Sequence, residues 1–123
     1  MLAFEGAMQA GDSYEMVIWN DHFHDYIGLA ARNKYLYGAY ARVLADHERI
    51  AALIFDREIA TNAEAEIQTT LDQHQALYTA IEEGQAAEAE QISVDHLNLC
   101  RSGIADLLEK SSEALDGIAI SSA

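Results

Sequence analysis

Two histidines bracket a glycine in the stretch DQHQALYTAIEEGQAAEAEQISVDH, Asp72 to His96. His74 stands ten residues before Gly84, and His96 stands twelve residues after it. If Gly84 closes a hairpin of two antiparallel helices, height is counted from that turn. At a rise of about 1.5 Å per residue, the imidazoles then lie roughly 15 Å and 18 Å from it. The mismatch is smaller than one helical turn, so both rings can face one point between the helices. Rotation about each helix axis is left open by spacing alone.

A second constellation, NDHFHD, places Asn20 four residues before His24, on the same helical face. Phe23 and Ile27 flank His24 and argue that it faces inward. A side-chain oxygen and an imidazole one turn apart make half a metal site, and two imidazoles from a facing hairpin complete it. Asn20, His24, His74 and His96 are therefore the candidate ligands. Three nitrogens and one oxygen suit Zn²⁺, Ni²⁺ or a similar divalent transition metal, with positions left for water or a ligand carboxylate. Asp21 is an alternative oxygen donor.

The elements that must hold these groups are helices. The chain has 123 residues, half of them apolar and none proline. That composition predicts one all-α domain over residues 1–123, with a single core. A short helix is expected up to Ala10, ended by Gly11. Asp12 or Ser13 caps a second, with Glu15 in capping-box position and Met16, Trp19, Phe23 and Ile27 on its apolar stripe, ending near Arg32–Asn33. A third runs from about Lys34 to about Ile59, with Leu36, Tyr40, Val43, Leu44, Ile50, Leu53 and Ile54 as its apolar positions. The capping-box signature TNAE predicts that Thr61 opens a fourth, which stops at Gly84. A fifth starts near Gln85 and reaches about Leu115, with the tail after Gly117 frayed. Strand alternation, repeats and linkers are missing, and the pattern is an antiparallel helical bundle.

Composition also restricts function. The formal net charge is −14, with seven Lys and Arg in all. Such a surface repels phosphate backbones and anionic membranes, so DNA binding by this chain alone is not expected. No apolar run approaches the roughly 20 residues of a membrane span. One cysteine, Cys100, fits a reducing cytoplasm and reads as a small helix-face residue. Neither a nucleophile elbow nor a glycine-rich phosphate loop occurs.

The segment NDHFHDYIGLAARNKYL resembles the "D/N-x-x-F-H … A-x-x-N-x-x-L" segment of the FCD domain, the ligand-sensing C-terminal half of GntR-type bacterial transcription regulators. DQHQALYTAIEEGQAAEAEQISVDH resembles that domain's "E-H-x-x-I/L-x-x-A-I-x-x-G-D-x-x-x-A … H" segment. The resemblance covers roughly Ala7 to Leu108. It implies an FCD-like antiparallel bundle that dimerises and follows a winged helix-turn-helix, which this chain lacks along with most of the domain's first helical region. It also implies a central metal on Asn20, His24, His74 and His96, and a small organic acid bound beside that metal. Two substitutions stand out against the family pattern: Asn20 where Asp is commoner, and Gln73 where Glu is usual.

The cations Arg32, Arg42, Arg49, Arg57 and Arg101 are candidate anion partners. Family members place polar and basic side chains of the third helix in the pocket, which points to Arg42 as the effector-binding residue. Asn33 reads as a turn or cap residue, and His22 and His47 as solvated. The expected function is a metal-dependent, small-carboxylate-sensing regulatory domain, not an enzyme. It would be a cytoplasmic homodimer that reaches DNA only through a separate winged helix-turn-helix. The alternatives are a metal-dependent helical-bundle enzyme and a dimerisation module without a ligand.

Overall fold

Helix boundaries follow the capping chemistry of the chain with one exception. The computed structural model describes residues 2–121, and side chains as far as residue 114. Five helices occur among the described residues: α1 (Leu2–Ala10), α2 (Ser13–Ala30), α3 (Lys34–Ala60), α4 (Glu64–Glu82) and α5 (Ala86–Ser121). Gly11 ends α1 with φ +66° and Gly84 ends α4 with φ +71°, the left-handed region that glycine enters without cost. Asp12 caps α2 by accepting from the Glu15 amide at 3.0 Å. The Glu15 carboxylate accepts instead from Trp19 Nε1 at 3.1 Å, so only half of the capping box forms. Asn33 caps α3, its Oδ1 accepting from the Tyr35 and Leu36 amides.

Thr61 is the exception. It does not open α4; it closes α3, with its amide and its hydroxyl both donating to the Arg57 carbonyl. Asn62 then turns at φ +53° and Ala63 donates to the Glu58 carbonyl. Helix α4 starts at Glu64 without a side-chain cap, its first turn instead carrying Glu64 and Glu66 at the positive end of the helix dipole. The second departure is at the C-terminus, where the backbone stays helical through Ser121 instead of fraying after Gly117. The end of that expected tail, residues 122–123, lies outside the described residues.

Helix α2 packs along α3 and α4 packs along α5, while α1 covers α2 and α4. The helices thus form the expected antiparallel bundle. Its core gathers at one end, where Phe4, Met16, Val17, Ala51, Phe55, Ile67 and Leu71 interlock. Phe4 and Phe55 meet edge to face at 5.7 Å between ring centroids. Among the described residues, helix α5 contributes no side chain to this cluster, and its buried polar group is His96. The four helices α2 to α5 therefore enclose polar groups next to an apolar end, and that is where the site lies.

The apolar stripe of α2 is rotated from expectation. Met16 and Asn20 are buried, whereas Trp19 is exposed and stacks near His22. On α3, Leu36, Val43 and Leu53 are exposed, and Leu44, Ala51, Ile54 and Phe55 carry the buried face.

Candidate metal and effector site

The hairpin places His74 and His96 as their spacing permits, with ring centroids 4.8 Å apart. His24 enters from α2, 5.1 Å from His74 and 5.3 Å from His96. One ligand atom from each of the three imidazoles lies within 4.8 Å of the others. At a metal–nitrogen length of about 2.0–2.1 Å, two ligands of one ion stand at most about 4.2 Å apart. Three ligands cannot all be trans, and in a tetrahedral site they stand about 3.4 Å apart, so closing the cluster onto one ion takes an inward shift on the order of 1 Å. The Nε2 atoms of His24 and His74 are buried and have no hydrogen-bond partner. Two orphaned imidazole nitrogens in one cluster are what a divalent ion would satisfy.

Each ring is fixed by its surroundings. His74 is 1 % exposed, stacked on Phe23 at 4.4 Å and edge to face with Phe4 at 5.8 Å. His96 Nδ1–H donates to Gln73 Oε1 at 2.9 Å, which leaves its Nε2 lone pair for the interior. Burial holds the imidazoles neutral: it lowers His24 to about 3, His74 to about 2 and His96 to about 4, with neighbouring imidazoles adding to the shift. Neutral imidazole is the ligating form, so the site is poised for a cation.

Asn20 is 4 % exposed and lines a cavity of about 140 Å³ together with His96. Asp21 is turned elsewhere. Its charge acts on Tyr37, Tyr40 and His47 of α3, and it is not among the groups that close on the three histidines.

His47 departs from expectation. It is half-buried, lines the same cavity, and stands 6.5 Å from His24, and burial lowers its pKa although Asp21 opposes the shift. His22 is exposed, as expected.

Arg42 is exposed and lies outside the linings of the cavities that meet at the histidines. The cationic group at the cavity is Arg57, whose Nη2 pairs with Asp106 at 3.6 Å while Nε and Nη1 are buried without partners. Glu58, Thr70 and Cys100 share the lining. Sequence reasoning had Arg57 among the candidate cations, and no local signal separates it from Arg42. Gln73 carries a visible signal, a hydrogen-bonding residue directly before a candidate ligand.

His24 and His96 also line an apolar cavity of about 280 Å³, walled by Ile27, Tyr37, Tyr40 and Leu77. His96 is thus shared by the two cavities.

The family model of the FCD domain matches residues 1–99. The chain belongs to the FCD domain family. No curated protein and no solved structure matches it. The FCD domain is the ligand-sensing regulatory part of GntR-type regulators; it binds small-molecule effectors and is not a catalytic family. In this FCD domain the three clustered histidines, His74 and His96 buried and His24 partly so, come from α2, α4 and α5, and His96 lines both neighbouring cavities. No helix among the described residues is long and apolar enough to cross a membrane.

Proposed function

We propose that this FCD domain is a metal-dependent sensor of a small carboxylate within a GntR-type transcription regulator. One divalent transition metal, Zn²⁺ or Ni²⁺, would be held by His24, His74 and His96 with Asn20 as the oxygen donor. Bound there, it supplies a Lewis-acidic charge that attracts a carboxylate. The observation that carries this reading is the cluster of three imidazoles, one of which, His96, lines the same cavity as Arg57 with its two unpartnered donors.

Arg57 is the anion anchor in this reading. Nε and Nη1 of the planar guanidinium are each a free charged donor for a ligand oxygen. The pairing of Nη2 with Asp106, which is more than half exposed, contributes little, so Nη2 can be recruited to complete a two-donor edge with either of them. Arg42, from its exposed place on α3, would act only at the surface.

Occupancy would be passed on through α2, α3 and α5, since the cavity is built from their side chains together with α4. A ligand shifts the protein between two geometries only by its differential affinity for them. DNA contact would be made by a separate winged helix-turn-helix in the cytoplasm, because a domain of net charge −14 does not neutralise phosphates. A homodimer is supported by Leu36 and Val43, exposed two turns apart on α3.

Isothermal calorimetry of the metal-loaded protein against a panel of small mono-, di- and tricarboxylates tests the proposal. Saturable binding weakened by Arg57→Ala and abolished by metal removal is expected. Absence of binding by every acid, with no shift in melting temperature, would overturn it.

A further inference from the structure

The cavity beside the histidines contains a second unsatisfied group, of opposite sign. Glu58 is 7 % exposed, and its Oε2 is buried with no hydrogen-bond partner. It follows Arg57 in sequence, yet the two do not form an ion pair; Arg57 turns to Asp106. Glu58 lines the chamber together with Cys100, whose thiol is pushed up first by burial and also by the charge of Glu58. An acid left unpaired in a protein interior is costly, and so is an unpaired guanidinium. The chamber therefore holds unpaired charged donors and a separate acceptor, each waiting for a complement.

A plain monocarboxylate satisfies the Arg57 donors alone. It leaves Glu58 unpaired and brings a like charge into its chamber. A ligand that satisfies both carries a carboxylate at one end and a hydrogen-bond donor a few bonds away. We propose that the ligand of this cavity is a small carboxylic acid bearing a hydroxyl or amino group, and that Glu58 recognises that group. This rests on the sensor reading above and names the feature by which the sensor selects.

The electrostatics agree with that role. Burial raises Glu58 to about 7, Arg57 opposes the shift, and the nearby Glu66 adds to it. Near neutrality the side chain can thus accept from a ligand hydroxyl in its ionised form or donate to one in its protonated form. A ligand ammonium would hold it ionised. Thr70 and Ser102 line the same chamber but carry no charge, and its other two acids, Glu66 and Asp106, are solvent-exposed, so Glu58 is the buried group able to discriminate an ammonium.

The test uses the metal-loaded protein and matched three- and four-carbon acids, each unsubstituted, hydroxylated and aminated. Affinities are read by calorimetry. A substituted acid is expected to bind about 10- to 100-fold more tightly than its unsubstituted counterpart, the range of one charge-assisted hydrogen bond. Glu58→Met removes the acceptor at similar volume and should bring the affinities within about 2-fold of one another. Glu58→Gln keeps an acceptor without charge; it should retain a preference for the hydroxyl and lose one for the ammonium, which identifies the donor. Melting curves of both variants establish that they fold. If unsubstituted acids bind as tightly as substituted ones, or the preference survives in Glu58→Met, the assignment of Glu58 falls while the sensor reading stands. If no acid of any kind binds, both fall.

Discussion

Gln73 Oε1 accepts the Nδ1–H of His96 at 2.9 Å across the α4–α5 hairpin. One residue of α4 thus sets the ring orientation of α5, while the next residue, His74, offers its own imidazole to the same interior. Such an outer hydrogen bond fixes the tautomer of a ligating histidine and raises its basicity. Gln73→Ala is therefore expected to weaken metal binding about 10- to 100-fold. Gln73→Glu, which restores the usual family residue, should hold or strengthen it. Competition with a chromophoric chelator measures both, and equal affinities across wild type and Gln73→Ala would remove Gln73 from the site.

Metal content follows from the same geometry. Purified protein should carry roughly one divalent transition metal per chain, as a site of three imidazoles and one oxygen implies. His74→Ala should lose most of it, and the variant lacking His24, His74 and His96 should lose all of it. Elemental analysis is the measurement, and full occupancy of the triple variant would sink the assignment.

Acid should destabilise the metal-free protein through these histidines. Their folded-state values, about 3, 2 and 4, lie below the unfolded value of about 6.5. Between the two, the unfolded chain binds more protons, so stability falls with falling pH. The contribution is fully present above about pH 6.5 and is lost as pH drops toward the folded values. Melting temperature should decline from pH 6.5 to pH 4.5, and His74→Leu should flatten that decline. A slope unchanged in the variant would place the acid sensitivity elsewhere.

Glu58 acts with the opposite sign. Burial raises it to about 7, so its contribution is full below about pH 4.5 and is lost as pH rises through 7. Glu58→Gln should therefore melt higher than wild type at pH 8, by several degrees, since 1 kcal/mol corresponds to roughly 4 °C in a domain of this size. The difference should shrink at pH 5. Thermal unfolding at the two pH values checks it, and a variant less stable than wild type at pH 8 would contradict it.

The contact between α2 and α3 depends on a missing side chain. A Cβ on Gly28 would lie 2.6 Å from Cδ1 of Tyr40 and 3.1 Å from Cδ2 of Tyr37. Tyr37 is held by its hydroxyl, which donates to Asp25 at 2.6 Å, so the ring cannot move freely aside. Gly28→Ala should cost about 1–3 kcal/mol, the range for overpacking. Denaturant unfolding measures this, and a neutral substitution would show that the tyrosines repack.

What the sequence by itself determined is local. The caps at Asp12 and Asn33 and the stops at Gly11 and Gly84 are written in the residues that make them, because each involves atoms within a few positions. The level shared by His74 and His96 is also local, since helical rise and a known turn fix it. Thr61 misleads because a threonine between two helices can cap either, and the left-handed turn at Asn62 commits it to α3.

Rotation and docking belong to the tertiary structure. Arg42 and Arg57 lie on one helix, fifteen residues apart, so an ideal helix separates them by only about 60° in rotation but about 22 Å in height. Periodicity gives them nearly the same face. Only the packing of α3 against α2 and α5 decides that the chamber opens at the level of Arg57 and leaves Arg42 in solvent. The same docking brings His47 to the cavity, buries Glu58 without a partner and turns Trp19 outward. Those outcomes depend on contacts between residues distant in the chain, and no spacing within a single helix contains them.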